Sequence, residues 1–179
     1  MGGAAQGWRF VTSAFVSRSA SSASNPARLV ELPREFAALM LRFIARGAQC
    51  GVCQSQPAQP ALCLLCGRLL CSMARCCASV DGEDEVFRHE AECVRGGRGL
   101  GAVLLLRSSV VVLLLGQKRV CLYGSLYLDE HGEEDVNLAR GRPLYLSRER
   151  FERLDRELAL AACLMDTKVL AKTARAAGM

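Results

Sequence analysis

The fold is decided by the sequence between residues 63 and 93, which opens with Cys63-Leu64-Leu65-Cys66-Gly67 and closes with His89-Glu90-Ala91-Glu92-Cys93. Two thiolates separated by two residues can converge on one ion, and a glycine directly after them permits a tight turn. An imidazole and a thiolate four positions apart lie on the same face of a helix, so both can approach that ion. The sequence therefore predicts one structural zinc ion bound by Cys63, Cys66, His89 and Cys93.

A second group of thiols lies on both sides of the first cysteine pair. Cys50-Gly51-Val52-Cys53 repeats the two-residue spacing, and Cys71, Cys76 and Cys77 follow downstream. One interpretation is a second zinc ion bound by Cys50, Cys53, Cys76 and Cys77. The alternative is that Cys71 packs as a small apolar residue and that Cys76 and Cys77 pack likewise or remain free, as buried cysteines often do. The sequence leaves this choice open.

The ligand spacing also bears on catalysis. A RING domain has eight ligands on two interleaved zinc ions, and Cys50, Cys53 and Cys63 begin like one, but the spacings after Cys63 do not continue its pattern. A zinc ion with four protein ligands keeps no open position for water, so it stabilises a fold and does not catalyse. A Ser-His-Asp arrangement and a glycine-rich phosphate loop are not evident either. We predict no catalytic residue and leave open whether the protein acts as an enzyme.

The composition indicates one globular domain with reduced cysteines. Of the 179 residues, 51% are apolar and 23% are charged, which is enough apolar content to bury a core at this length. We expect no secretory signal, because no charged segment followed by an apolar stretch opens the chain, and therefore free thiols. The longest apolar run, residues 100–115, is interrupted by Arg107 and is shorter than the roughly 20 residues that a bilayer requires. We therefore expect no membrane partner.

The net charge of +5 does not by itself indicate a nucleic-acid partner. In the last helical segment acidic residues alternate with arginines, as in the i,i+4 pair Glu149 and Arg153. This alternation weakens any field that would attract phosphate groups. We expect a solvated helix face and no nucleic-acid binding.

Hydrophobic periodicity divides the chain into a leader, one domain and a tail. Residues 1–28 are rich in serine and alanine and lack acidic residues, which predicts a disordered or targeting-like leader; residues 29–165 form the zinc domain and residues 166–179 a flexible tail. Helical patterns cover residues 29–45 and the segment after the N-cap residue Ser147. Apolar runs at residues 100–106, 110–115 and 120–128 predict three strands. The predicted fold class is α+β, a small zinc-stabilised domain with a short antiparallel β-meander flanked by N- and C-terminal helices.

Acidic residues are concentrated between Asp129 and Asp135, with His131 among them. General acid-base groups and a calcium loop are conceivable uses of such a segment, but the EF-hand order of acids and glycine is missing. The segment is polar and turn-like throughout. We predict an exposed acidic turn.

The motifs of the cysteine segment and those that follow it occur in a recognisable order. They are Pro60-Ala61-Leu62-Cys63-Leu64-Leu65-Cys66-Gly67, Leu70-Cys71, Cys76-Cys77, His89-x3-Cys93, Gly99-x-Gly101, Tyr127-Leu128-Asp129-Glu130-His131-Gly132-Glu133-Glu134-Asp135 and Arg140-Gly141-Arg142-Pro143-Leu144-Tyr145-Leu146. In this order they resemble the C-terminal domain of the UBR-type N-recognins, which are large RING-type E3 ubiquitin ligases. The resemblance extends over about residues 29–158.

The resemblance implies a role in the N-degron pathway, in which such ligases recognise destabilising N-terminal residues and pass ubiquitin from an E2 enzyme to substrate lysines. In the family a UBR box reads the N-terminus and a RING recruits the E2, and neither is seen in this sequence. We therefore expect a component or fragment of such a ligase, with zinc as cofactor and with other ligase modules, an E2 enzyme or substrate proteins as partners. The alternative is a stand-alone zinc-stabilised interaction module without ligase activity. We expect a cytoplasmic or nuclear location, with organellar targeting by the leader as the alternative.

Overall fold

A computed structural model describes residues 28–45, 47–73, 75–93, 100–115 and 119–164. For residues 44, 45 and 162–164 it describes the backbone alone. The predicted leader up to residue 27 and the predicted tail lie outside these described residues, and so does the side chain of Cys163. Within them, no helix is long and apolar enough to cross a membrane.

Helices flank a β-sheet in the described part of the chain, so the predicted α+β class is confirmed. The helices are α1 (Phe36–Met40), which continues as a π-helical turn (Leu41–Ala45), α2 (Glu85–Cys93) and α3 (Arg148–Leu164). The strands are β1 (Pro60–Cys63), β2 (Leu69–Cys71), β3 (Gly101–Leu105), β4 (Val110–Leu114), β5 (Val120–Gly124), β6 (Tyr127–Leu128) and β7 (Tyr145–Leu146). Short 3-10 turns cover Arg75–Cys77 and Val136–Leu138.

The N-terminal helix starts at Phe36 and not at residue 29 as the periodicity predicts. The preceding chain is extended: the Val30 N–H donates to the Leu64 carbonyl oxygen at 2.7 Å, and Glu35 forms a β-bridge with Tyr145. Pro33 disfavours the helical conformation in the residue before it, so the chain cannot begin its helix earlier at low cost. The extended segment thereby packs over the turn formed by residues 63–67.

The main sheet is antiparallel, with the order β2-β1-β3-β4-β5. The predicted hairpin is confirmed as β3 and β4, where Val103 lies opposite Val112. The predicted third strand is shorter than expected, because β5 ends at Gly124, whose φ of +105° turns the chain towards a second sheet of β6 and β7. The sequence also did not indicate β1 and β2, which add the cysteine segment to the sheet edge; β1 pairs with β3 through Leu62 and Leu104.

Both faces of the sheet are covered, by different helices. Side chains alternate between the faces along each strand, so Leu62 and Leu104 point one way while Cys63 and Val103 point the other. The first face packs against residues of α1 and α3, among them Leu39 and Leu154. The second face packs against Val86 of α2. Cys63 therefore faces α2, the helix that carries His89 and Cys93.

The acidic segment is only in part the exposed turn that the sequence predicts: Glu130, His131 and Glu133 are exposed, but two other carboxylates are buried. Asp129 and Asp135 are only 5% and 2% exposed. Asp129 accepts hydrogen bonds from the backbone N–H groups of His131 and Glu133 and lies 3.1 Å from an Arg142 nitrogen. Asp135 accepts from the backbone N–H of Arg140 at 3.0 Å. The carboxylates are buried because downstream arginines and backbone donors fold back over them, an arrangement that local patterning does not reveal.

Candidate metal centres

The first centre combines a tight turn with one face of a helix. Cys63 ends β1, and the turn is closed by Gly67, which has a φ of +76° and donates its N–H to the Cys63 carbonyl oxygen at 2.8 Å. Helix α2 brings His89 and Cys93 to the same place, four positions apart on one side. The ligand atoms of Cys63, Cys66, His89 and Cys93 lie within 4.8 Å of one another. The structure thus brings together all four residues that the sequence groups.

The distances in this first centre match the size of a zinc site. The sulfur atoms of Cys63 and Cys93 are 3.8 Å apart, and the Cys66 sulfur is 3.3 Å from His89 Nε2. Zinc bonds of roughly 2.3 Å to sulfur and 2.0 Å to nitrogen, arranged tetrahedrally, require about 3.8 Å between sulfurs and about 3.5 Å between sulfur and nitrogen. The donor set and its spacing therefore fit a four-coordinate zinc ion.

The electrostatics of the first centre favour a thiolate. Hydrogen bonding with Cys63, and then with Cys93, holds the pKa of Cys66 far below its ordinary value. Burial lowers the pKa of His89, but hydrogen bonds with Cys63 and Cys66 outweigh it and raise that pKa to about 9. A thiolate is the form of cysteine that binds metals, so these contacts favour Cys66 as a ligand, whereas hydrogen bonds with Cys63 and Cys66 raise the pKa of Cys93.

The second centre consists of Cys50, Cys53, Cys71 and Cys77, whose sulfur atoms also lie within 4.8 Å of one another. Cys50 and Cys77 sulfurs are 3.6 Å apart, and those of Cys53 and Cys71 are 3.8 Å apart, close to the spacing of about 3.8 Å in a tetrahedral zinc site. Three of the four are buried and pack mainly against one another. Such a group of thiols contributes little apolar packing, which makes a bound ion the more effective way to stabilise it.

Glu85 ties the second centre to α2, and sequence reasoning missed it. Its Oε2 atom accepts the backbone N–H of Cys71 at 2.8 Å and lies 3.2 Å from the Cys50 sulfur. Glu85 is buried at the first turn of the helix that carries His89 and Cys93. One carboxylate thus connects the second centre with the helix of the first. An acidic residue at a helix start is too common for the sequence to have indicated this contact.

Two different effects set the thiol pKa values in the second centre. The Ser55 backbone, followed by Cys77, lowers the pKa of Cys53 to about 6 by hydrogen bonding. Burial raises the pKa of Cys71 and that of Cys77. These last two thiols must give up protons to a cation that binds, so metal affinity here depends on pH.

The second centre differs from the predicted set in one member, because Cys71 takes the place given to Cys76. Cys71 ends β2 and points inward, and the 3-10 turn Arg75–Cys77 directs Cys77 inward while Cys76 is exposed. Two adjacent cysteines cannot be told apart by spacing alone. The backbone turn decides which of them faces the centre.

The ligand pairs of the two centres alternate along the chain. In chain order they are Cys50 and Cys53, Cys63 and Cys66, Cys71 and Cys77, and His89 and Cys93. The pairs Cys50/Cys53 and Cys71/Cys77 form the second centre. The pairs Cys63/Cys66 and His89/Cys93 form the first centre. This alternation is the interleaved arrangement of a RING, although the spacings differ from the RING pattern. The spacing comparison therefore missed a topological similarity that the structure reveals.

Comparisons with known proteins identify relatives over most of the chain. The Proteolysis_6 C-terminal family matches residues 6–161, a region that includes most of the predicted leader. The chain is 43% identical over 128 residues to E3 ubiquitin-protein ligase Ubr3 of Drosophila melanogaster. The aligned residues cover 72% of this chain and 6% of that protein. It is 38% identical over 129 residues to E3 ubiquitin-protein ligase UBR3 of Homo sapiens, covering 72% of this chain and 6% of that protein.

A second branch of relatives is similar to nearly the same extent. The chain is 39% identical over 127 residues to E3 ubiquitin-protein ligase UBR1 of Mus musculus, which covers 70% of this chain and 7% of that protein. The chain thus spans 6–7% of the length of these curated relatives. It belongs to the Proteolysis_6 C-terminal family and is homologous to a segment of the UBR-type E3 ubiquitin ligases, which confirms the predicted resemblance.

Proposed function

We propose that this chain is a structural domain of an N-degron pathway E3 ubiquitin ligase, and that two zinc ions stabilise it. The observation that carries the proposal is the pair of interleaved four-ligand groups within a chain of this family. Each group has the ligand types and the spacing of a closed structural zinc site. Zinc would supply folding free energy, since four protein ligands leave no position for a reacting water.

The ions would connect segments that lie far apart in sequence. The first group joins the turn after β1 to α2, and the second joins the loop at Cys50 to the end of β2 and the following 3-10 turn. Loops of this kind lose backbone entropy on folding, at about 1–2 kcal/mol for each residue. Ligand bonds to two ions would offset part of this loss.

The contribution to ubiquitin transfer would come from contacts with other parts of a ligase. The relatives are named as E3 ubiquitin-protein ligases, and this chain corresponds to a small part of each. We propose that it presents a rigid surface to other ligase modules, an E2 enzyme or substrates, and so supports ubiquitination of proteins with destabilising N-termini. Since its ligand spacings depart from those of a RING, discharge of ubiquitin from an E2 by this chain alone is not expected.

A domain exchange tests this function. In E3 ubiquitin-protein ligase UBR3 of Homo sapiens, the aligned segment is deleted and then replaced by this chain, and autoubiquitination is measured with a charged E2. We expect deletion to lower the activity, this chain to restore it, and the chain with Cys66→Ser to fail. Zinc content of the isolated chain is measured alongside, with two equivalents expected.

Two outcomes would contradict the proposal. A zinc content near zero would overturn the metal centres. Failure of the intact, zinc-loaded chain to restore activity would overturn the ligase role and favour a stand-alone interaction module.

A further inference from the structure

The second centre contains one sulfur atom more than a tetrahedral ion can use. In addition to its four members, the exposed Cys76 places its sulfur 3.8 Å from that of Cys71 and 3.9 Å from that of Cys77. Both neighbours are buried ligand candidates. When four thiolates hold the ion, the fifth thiol remains at the surface of the centre.

We propose that Cys76 is an oxidation site, through which a peroxide converts Cys71 and Cys76 to a disulfide and releases the zinc ion of the second centre. This inference rests on the zinc binding proposed above. The proposed role requires that Cys76 is exposed, because the oxidant must reach its sulfur. It also requires the observed position of Cys76, because the resolving thiolate of Cys71 must already lie beside it. Solvent access and a neighbouring resolving cysteine are two of the properties that redox-sensitive cysteines share.

The chemistry proceeds in two balanced steps. The Cys76 thiolate attacks one oxygen of hydrogen peroxide; a sulfur–oxygen bond forms, the oxygen–oxygen bond breaks, and hydroxide leaves to become water. The Cys71 thiolate then attacks the oxidised sulfur, so that the sulfur–sulfur bond forms and a second hydroxide leaves and is protonated. In sum, the Cys76 thiol, the zinc-bound Cys71 thiolate, one peroxide and one proton from solvent yield one disulfide and two water molecules. The disulfide leaves three ligands, and the ion dissociates.

Covalent geometry favours Cys71 over Cys77 as the partner. Adjacent residues have Cα atoms about 3.8 Å apart across a trans peptide, which is shorter than the roughly 4.4–6.8 Å that an ordinary disulfide requires. A bond between Cys76 and Cys77 would therefore strain the backbone. Cys71 and Cys76 are five positions apart in sequence and have no such restriction, and their sulfurs are already 3.8 Å apart.

The first centre supplies an internal comparison. It has three cysteines and one histidine, and among the described residues the sulfur contacts within it involve only its own members. Its ion therefore has no neighbouring spare thiol to begin the reaction. Peroxide should release about one of the two ions quickly and the other far more slowly.

The experiment uses the zinc-loaded chain, its Cys76→Ser variant and, as a matched control, Cys121→Ser, which removes an exposed thiol from β5. Zinc content is first measured without oxidant, and two equivalents are expected in all three proteins. Hydrogen peroxide is then added and released zinc is followed with a chromogenic chelator. We expect the intact chain and Cys121→Ser to release about one equivalent at the same rate, and Cys76→Ser to release it at least about tenfold more slowly.

Mass spectrometry identifies the bond. Trypsin cleaves after Arg75, so a disulfide from Cys71 to Cys76 or Cys77 appears as a cross-linked pair, whereas a bond between Cys76 and Cys77 stays within one peptide. Fragment ions that break the chain between residues 76 and 77 then show which of the two carries the link to Cys71. Equal release rates in Cys76→Ser and the intact chain, or a disulfide without Cys76, would overturn the inference while leaving the zinc centres intact. Loss of one zinc equivalent from Cys76→Ser before oxidation would overturn it too, because Cys76 would then be a ligand. Fewer than two equivalents in the untreated intact chain would instead contradict the proposed function.

Discussion

At the scale of single residues, the cysteines of this protein differ sharply in their surroundings. Cys66 has His89 Nε2 at 3.3 Å and hydrogen-bonding neighbours that hold its pKa far below its usual range. Cys121 is exposed on β5 and belongs to neither centre. The same substitution at these two positions therefore distinguishes the loss of a proposed zinc ligand from the loss of an exposed thiol.

Cys66→Ser should remove one zinc equivalent and lower the free energy of unfolding by about 3 kcal/mol or more, because three ligands hold zinc poorly and the remaining groups lose their shared ion. Cys121→Ser should change the free energy of unfolding by less than about 0.5 kcal/mol. Urea denaturation of the zinc-loaded proteins measures both. Indistinguishable denaturation midpoints for the two variants would argue against the first centre as a structural zinc site.

At the scale of elements, the five-stranded sheet runs from a buried centre to an exposed edge. Leu104 in β3 is 0% exposed and packs between the neighbouring strands and the helices of the first face, whereas Leu122 in β5 is 75% exposed. Outside the sheet, Glu134 on the loop after β6 is half-buried, pairs with Arg150 and accepts a hydrogen bond from the Ser125 N–H at 3.1 Å.

Leu104→Asp should unfold or aggregate the domain, since it places an unpaired charge in the core, at a cost of about 4 kcal/mol or more. Leu122→Asp makes the same chemical change at the exposed edge and should leave the fold intact. Circular dichroism and size-exclusion chromatography distinguish the two results. Tolerance of aspartate at both positions would show that β3 is not the centre of the core.

At the scale of the whole molecule, the alternating ligand pairs connect the two centres through shared segments. The chain contributes Cys50 and Cys53 to the second centre, then two residues to the first centre, then two more to the second, and finally His89 and Cys93 of α2 to the first. Glu85 of the same helix contacts the second centre. If both groups bind zinc as proposed, we expect loss of one ion to loosen segments that position the ligands of the other.

Acidification should consequently release zinc and unfold the domain together. Burial raises the pKa of Cys71 and that of Cys77, and a bound cation must displace their protons, so protons and zinc compete and zinc affinity falls as pH decreases. Circular dichroism across a pH series from 7 to 4 measures the midpoint, and added zinc should move it to lower pH by mass action. A midpoint that is independent of zinc concentration would contradict this coupling.

Local spacing was sufficient to determine several features of this protein. These features each depend on residues within about one turn or one strand pair: the turn of Cys63 and Cys66 that ends at Gly67, the position of His89 and Cys93 on one helix face, the β3–β4 hairpin and the amphipathic α3. The order of these motifs also identified the family. Backbone periodicity fixes such short-range relations whatever the rest of the chain does.

Tertiary structure alone decided the rest. Strand register and contacts between segments far apart in sequence decide four features. These are the addition of β1 and β2 to the sheet, the position of Cys71 rather than Cys76 within reach of Cys50, Cys53 and Cys77, the alternation of the candidate ligand pairs, and the burial of Asp129 beneath Arg142. Many pairings of ten cysteines satisfy the same local spacing rules. Only the packing of the sheet against α2, which buries one set of side chains and exposes another, selects among them.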